Sequence, residues 1–125
     1  WLDMGEVLGD KAPKIFNVNW FRLDEEGHFI WPGFGDNMRV LNWIIDRCEG
    51  KVDAKETPIG YVPYAKDIDL EGLDFSRERL EEILEVDPAI WKEEVKGIEE
   101  FFAKFDRLPE EMREELGKLK ARLGE

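Results

Sequence analysis

A chain of 125 residues, 42% hydrophobic and 38% charged, has enough apolar material for one modest core and too little for two. Its formal net charge of −12 repels nucleic-acid phosphates and anionic membranes, and no apolar run approaches the ~20 residues a spanning helix needs. One cysteine, Cys48, excludes an internal disulfide and fits a reducing, cytoplasmic setting.

The acidic excess is spread along the chain. Residues 1–50 carry 9 acidic and 5 basic groups, and residues 51–125 carry 21 and 13, which reads as a solvated acidic surface. Glu100–Lys104 and Glu114–Lys118 have the spacing of helical ion pairs. The chain begins at Trp1 instead of Met, so it is expected to be a piece of a longer polypeptide.

Trp1 to Met4 reads as the tail of a helix, and Pro13 argues against that helix running on. Ile15 to Phe21 alternates as a strand does. Phe16, Val18 and Trp20 fall on one face, and Ile15, Asn17, Asn19 and Phe21 on the other. Asp24-Glu25-Glu26-Gly27 is a turn, and Phe29 to Trp31 a short second strand, together predicting a hairpin. Asp36 or Asn37 can cap the next helix, in which Leu41, Ile44, Ile45 and Cys48 share a face and which Gly50 ends. Thr57 to Val62, with prolines at 58 and 63, reads as an extended segment at a sheet edge or in a packed loop.

From Asp67 the chain is expected to be helical. Ser76 caps a helix carrying Leu80, Ile83 and Leu84. Asp87-Pro88 opens a second, with Trp91, Val95, Ile98, Phe102 and Phe105 at spacings of four and three. Pro109 opens a third, with Met112, Leu116, Leu119 and Leu123 on one stripe. Such stripes belong to a core or to a partner helix.

Little of this is catalytic. His28, the only histidine, follows an acidic turn and is expected to be an exposed hairpin residue. It has no nucleophile beside it, and no His/Cys spacing suggests a metal site. Cys48 is expected to be a small buried hydrophobe. Gly33-Phe34-Gly35 is too short to cradle phosphates, and no Lys-Ser/Thr follows it.

The stretch from Trp20 to Asn37 is different. It packs Trp20, Phe21, Phe29, Trp31 and Phe34 into turn-rich chain. One reading is a satellite hydrophobic cluster under a loop. The other is a platform for a flat ligand, in which rings stack on a base at roughly 1–3 kcal/mol each and Asn37 offers an acceptor and a donor to its edge.

Ile15 to Arg22, Phe29 to Asn37, Arg39 to Leu41 and Thr57 to Tyr61 closely resemble the C-terminal part of GTP-dependent phosphoenolpyruvate carboxykinase. Asp36 and Met38 fall where that family often has Glu and Ser. The resemblance implies an α/β (α+β) fold: a short β-hairpin or sheet with a packed helix, then a C-terminal bundle of helices, belonging to a larger two-lobed α/β kinase-like enzyme. It implies the conversion of oxaloacetate and GTP to phosphoenolpyruvate, GDP and CO₂, a gluconeogenic step using Mn²⁺ and Mg²⁺. Guanine would lie between Phe21 and Phe34, with Phe29 closing an edge and Asn37 reading the base. No catalytic residue and no metal ligand is assigned to this chain, so alone it is expected to be inactive. Residues 1–14 would end a preceding element, 15–66 would form the guanine-binding segment, and 67–125 the helical region. The expected partners are GTP, the substrate, and the remainder of the polypeptide, with neither nucleic acid nor membrane. The alternative is a non-enzymatic acidic interaction module with an aromatic patch, self-associating through the Trp91/Phe102 stripe or the hairpin edge.

Overall fold

Backbone propensities and caps set the helices. The computed structural model describes residues 2–124: helices α1 (Leu2–Leu8), α2 (Asn37–Cys48), α3 (Arg77–Leu84), α4 (Pro88–Phe102) and α5 (Glu110–Leu123), and strands β1 (Lys55–Thr57) and β2 (Gly60–Val62). The architecture is therefore mixed, mostly helical with a small antiparallel sheet. Trp1 lies outside the described residues; the helix expected to end at Met4 continues to Leu8. A 3₁₀ turn at Gly9–Lys11 follows, and Ala12 is extended at φ −61, ψ 138, as a residue before proline should be.

The sheet is not where the alternation placed it. β1 and β2 pair through Lys55–Val62, Glu56–Tyr61 and Thr57–Gly60. Pro58 takes the second place of their turn and Gly60, at φ +122, the fourth. Between 15 and 31 only Leu23 and Phe29 form a bridge. Arg22 O accepts from Ile30 N at 3.0 Å, and Asp24 N donates to His28 O at 2.9 Å, so a tight turn survives without a ladder. The expected strand over 15–21 is extended chain with no paired strand among the described residues. Asn19 helps end it: its Oδ1 accepts the Phe21 N–H at 2.9 Å, diverting a donor that a ladder would use. The division of faces nevertheless holds. Phe16, Val18 and Trp20 are partly buried, while Ile15, Asn17, Asn19 and Phe21 are exposed.

α2 turns a different face inward than the one expected. Trp43 is buried, and Val40 and Ile44 pack with it, whereas Leu41, Ile45 and Cys48 are exposed. Both flanks of this helix are apolar, and the indole decides between them because it has the most area to hide. Phe16 meets Trp43 edge-on, with centroids 6.2 Å apart. Cys48, at the last position of α2, is thus not the buried hydrophobe expected.

The main core joins Trp31, Trp43, Ile68 and Leu80, with Trp20, Phe75 and Ile83 around them. Ile68 lies in a loop, not a helix. The chain was expected to be helical from Asp67, but ahead of the Ser76 cap Asp69 Oδ1 accepts from Glu71 N at 2.8 Å and Gly72 takes φ +73, a turn that a helix cannot contain. Arginines hold this loop. Arg39 donates to the carbonyls of Asp69 and Glu71 at 3.0 and 2.9 Å, and Arg77 donates to Ile68 O at 2.9 Å and to Ala65 O.

The later helices start where the caps put them. Ser76 Oγ accepts from Arg79 N at 3.1 Å, and Asp87 Oδ1 from Ala89 N at 2.7 Å with Pro88 first in the helix. α4 buries Val95 completely and packs on α5, which buries Leu123. α4 ends at Phe102, so Phe105 leaves the stripe and packs on Phe101 at 5.0 Å. Lys118 pairs with Glu115 at 2.6 Å rather than with Glu114 in contact. α4 and α5, the 15–20 segment, β2 and the end of α3 line a cleft of about 1120 Å³, with Trp91, Ile98, Phe102 and Leu116 on its helical wall.

Candidate functional site

The tight turn at 22–30 carries Phe29 and holds Phe21 immediately before it, two of the four expected site residues. Arg22 anchors its base, donating to Ile83 O at 2.6 Å in the last turn of α3 and to Glu85 O at 3.2 Å just past it, where a cation also suits the helix dipole. Asp24 anchors its tip. Its Oδ1 accepts from Glu26 N and His28 N at 3.0 and 2.9 Å, and its Oδ2 from Arg79 Nη2 at 2.9 Å. His28 is exposed, as expected, with its Nδ1 3.6 Å from Glu26.

The His28 N–H above all, and the Arg79 guanidinium beside it, hold the Asp24 carboxyl below its ordinary 3.8, against a desolvation that pushes it up. A lowered pKa in the folded state stabilises at every pH above the ordinary value, and that contribution disappears as pH falls through the lowered one. The turn is therefore expected to stay docked on α3 from neutral pH down to about the ordinary 3.8 and to loosen only below it. An acid titration followed by NMR shifts of the His28 and Ile30 amides checks this. Asp24→Asn is expected to remove the turn's share of the acid transition, and an unchanged transition in that variant would refute the assignment.

Phe21 and Phe29, thus held, project outward at 69% and 62% exposure and touch each other edge-on, centroids 5.8 Å apart. Phe34 comes from the other side of the stretch. Gly33 has φ +117 and ψ −165, a region open essentially to glycine, and swings the chain into a 3₁₀ turn at Phe34–Asp36. Gly35 needs no such freedom, and a Cβ at either glycine would meet open space. Phe34 is 92% exposed and meets no other ring among the described residues. The structure therefore brings Phe21 and Phe29 together and leaves Phe34 apart from them.

Asn37 is the first residue of α2. Asp36 occupies the N-cap but makes no side-chain cap; its Oδ1 accepts from Arg39 Nε at 3.0 Å instead. The Asn37 Oδ1 accepts the indole N–H of Trp31 at 2.9 Å. Trp31 is buried between Phe75, at 5.8 Å, and Trp20, at 6.5 Å. This bond fastens the head of α2 to the residue that follows the turn. Sequence reasoning placed Trp31 only in a short strand. The one available signal was a donor-only side chain six residues before an amide.

Arg22, beside Phe21 in the chain, and Arg39, two residues after Asn37, are committed to main-chain carbonyls. Among the described residues no three His, Cys, Asp or Glu side chains converge as a metal set would. None of the described helices is long and apolar enough to cross a membrane. What remains is an exposed set of aromatic faces and, on the same stretch, one oriented amide, groups suited to holding a flat ligand and testing its edge.

The chain matches, over residues 1–122, the family model of the phosphoenolpyruvate carboxykinase C-terminal P-loop domain. It is 57% identical to the phosphoenolpyruvate carboxykinase [GTP] of Paenarthrobacter aurescens, over 99% of this chain and 21% of that protein. The enzymes of the same name from Treponema pallidum and Corynebacterium glutamicum are each 48% identical, over 98% of this chain and 20% of theirs. The chain belongs to the GTP-dependent phosphoenolpyruvate carboxykinase family. It spans about a fifth of the length of these relatives.

Proposed function

We propose that this chain supplies the guanine-recognising part of an enzyme that converts oxaloacetate and GTP to phosphoenolpyruvate, GDP and CO₂ in the cytoplasm. The observation that carries the reading is the exposure of Phe21, Phe29 and Phe34, together with an oriented Asn37 on the same stretch, in a chain of this family. Phe21 and Phe34 stack on the two faces of the base, Phe29 closes an edge, and Asn37 reads the other. Phe34 stands free until a base brings it into the stack. Residues 15–66 form this segment; residues 1–14 end a preceding element, and residues 67–125 form the helical region behind it.

The role of these residues is to bind and select. They offer no general acid, no nucleophile and no phosphate contact, so the chain alone is inactive. Its described residues do not fit a site for the Mn²⁺ and Mg²⁺ that the reading requires, and no step is derived through either ion. The remainder of the polypeptide, in a two-lobed α/β enzyme, provides that chemistry. It also covers apolar surface such as Met38, Leu41 and Ile45 along the outer flank of α2.

Titration of the protein with GTP and with ATP, followed by tryptophan fluorescence, tests the reading. Trp31 bonds Asn37 and packs on Trp20, which precedes Phe21 in the chain, whereas Trp91 sits on α4. A guanine preference is expected, with the response lost when Trp20 and Trp31 are replaced and kept when Trp91 is. Equal affinity for both nucleotides would overturn it.

A further inference from the structure

An amide side chain is ambiguous by nature: turned over, it exchanges an acceptor for a donor. A reader of base edges cannot tolerate that. Guanine presents the O6 acceptor where adenine presents the N6 amino donor. An amide free to turn would satisfy either.

Asn37 is not free to turn. An indole N–H can only donate, so the atom 2.9 Å from Trp31 Nε1 must be the amide oxygen. The other arm of the fork, Nδ2, carries no hydrogen bond among the described residues, and Asn37 is only partly buried. Trp31 is itself rigid: its ring is 7% exposed and fixed between Trp20 and Phe75. Turning the amide over would set an N–H₂ against the indole N–H and leave a buried donor unpaired.

We propose that Trp31 is a specificity-determining positioning residue. By fixing the Asn37 amide oxygen it leaves only the N–H₂ to meet the base, and so admits an O6 acceptor and rejects an N6 donor. The inference rests on the guanine reading above and adds a cause for its selectivity. Trp31 touches no part of the nucleotide in this scheme; it acts through Asn37.

The test compares GDP and ADP affinities in the whole protein, for the wild type and for Trp31→Phe. A Phe keeps an aromatic ring in the core and removes the N–H. The wild type is expected to prefer GDP, and Trp31→Phe to lose about tenfold of that preference, in part by binding ADP more tightly. A merely structural role would weaken both nucleotides together and leave their ratio unchanged. Should Trp31→Phe fail to fold, benzothienylalanine at position 31, which puts sulfur in place of the N–H at nearly constant ring shape, gives the same comparison. A wild-type ratio retained in either folded variant overturns the role of Trp31 and leaves the guanine reading standing. Absence of any GDP preference in the wild type overturns the guanine reading, and this inference with it.

Discussion

Phe34→Ala is expected to weaken guanine-nucleotide binding by roughly 5- to 150-fold without changing the stability of the fold. The range is the ~1–3 kcal/mol of one ring stacked on one base. The neutrality in stability follows from the ring's exposure of 92%: it has almost no packing inside the chain to lose. That separates binding from folding more cleanly than Phe21 can. Phe21→Ala also removes the edge contact with Phe29, and such a pair contributes ~0.5–1.5 kcal/mol of its own. Calorimetric titration with GDP, beside thermal unfolding of the same samples, measures both quantities. Phe34→Trp should retain binding, because a larger face still stacks. Undiminished affinity in Phe34→Ala would remove Phe34 from the site.

Exposure also explains what the sequence made legible and what it hid. Alternation from Ile15 to Phe21 predicts which side chains face inward, and they do, because sidedness depends only on the extended backbone. It does not predict a ladder, which needs a partner. The described residues supply none, and the Asn19 side chain takes a donor the ladder would have used. The caps at Ser76 and Asp87 were readable because each is local, completed within three residues. The buried face of α2 was not, since two apolar flanks competed and Phe16 and Leu80, distant in sequence, decided in favour of Trp43. Of the site, the rings were visible as an excess of aromatics in turns. The Trp31–Asn37 bond was invisible, because nothing in the spacing says which of several neighbours an indole N–H will find.

The arrangement makes the same few core residues support both the fold and the site. Arg22 and Asp24 tie the Phe21/Phe29 turn to α3, and α3 is held in turn by Leu80. The turn's position therefore depends on α3 staying docked, although none of the residues proposed to contact a base lies on that helix.

Leu80→Ala is accordingly expected to be among the most destabilising single changes, costing about 2–5 kcal/mol through lost burial and the cavity left behind. Leu80 is 2% exposed and contributes to the core with Trp31, Trp43 and Ile68. A domain's whole stability is about 5–15 kcal/mol. The described residues bury few apolar side chains to share the loss, so the core has little redundancy. Ile45→Ala, on the flank of α2 that is exposed in this chain by itself, should cost within about 0.5 kcal/mol when this chain is unfolded alone and serves as the control. Urea unfolding reads the difference as a lowered midpoint at an unchanged slope. While Leu80→Ala remains folded, its affinity for GDP should fall less than that of Phe34→Ala, since the rings and the amide are intact. A midpoint matching that of Ile45→Ala would mean that α3 is not anchored through Leu80. The route by which Arg22 and Asp24 fix the aromatic turn would then have to run through another contact.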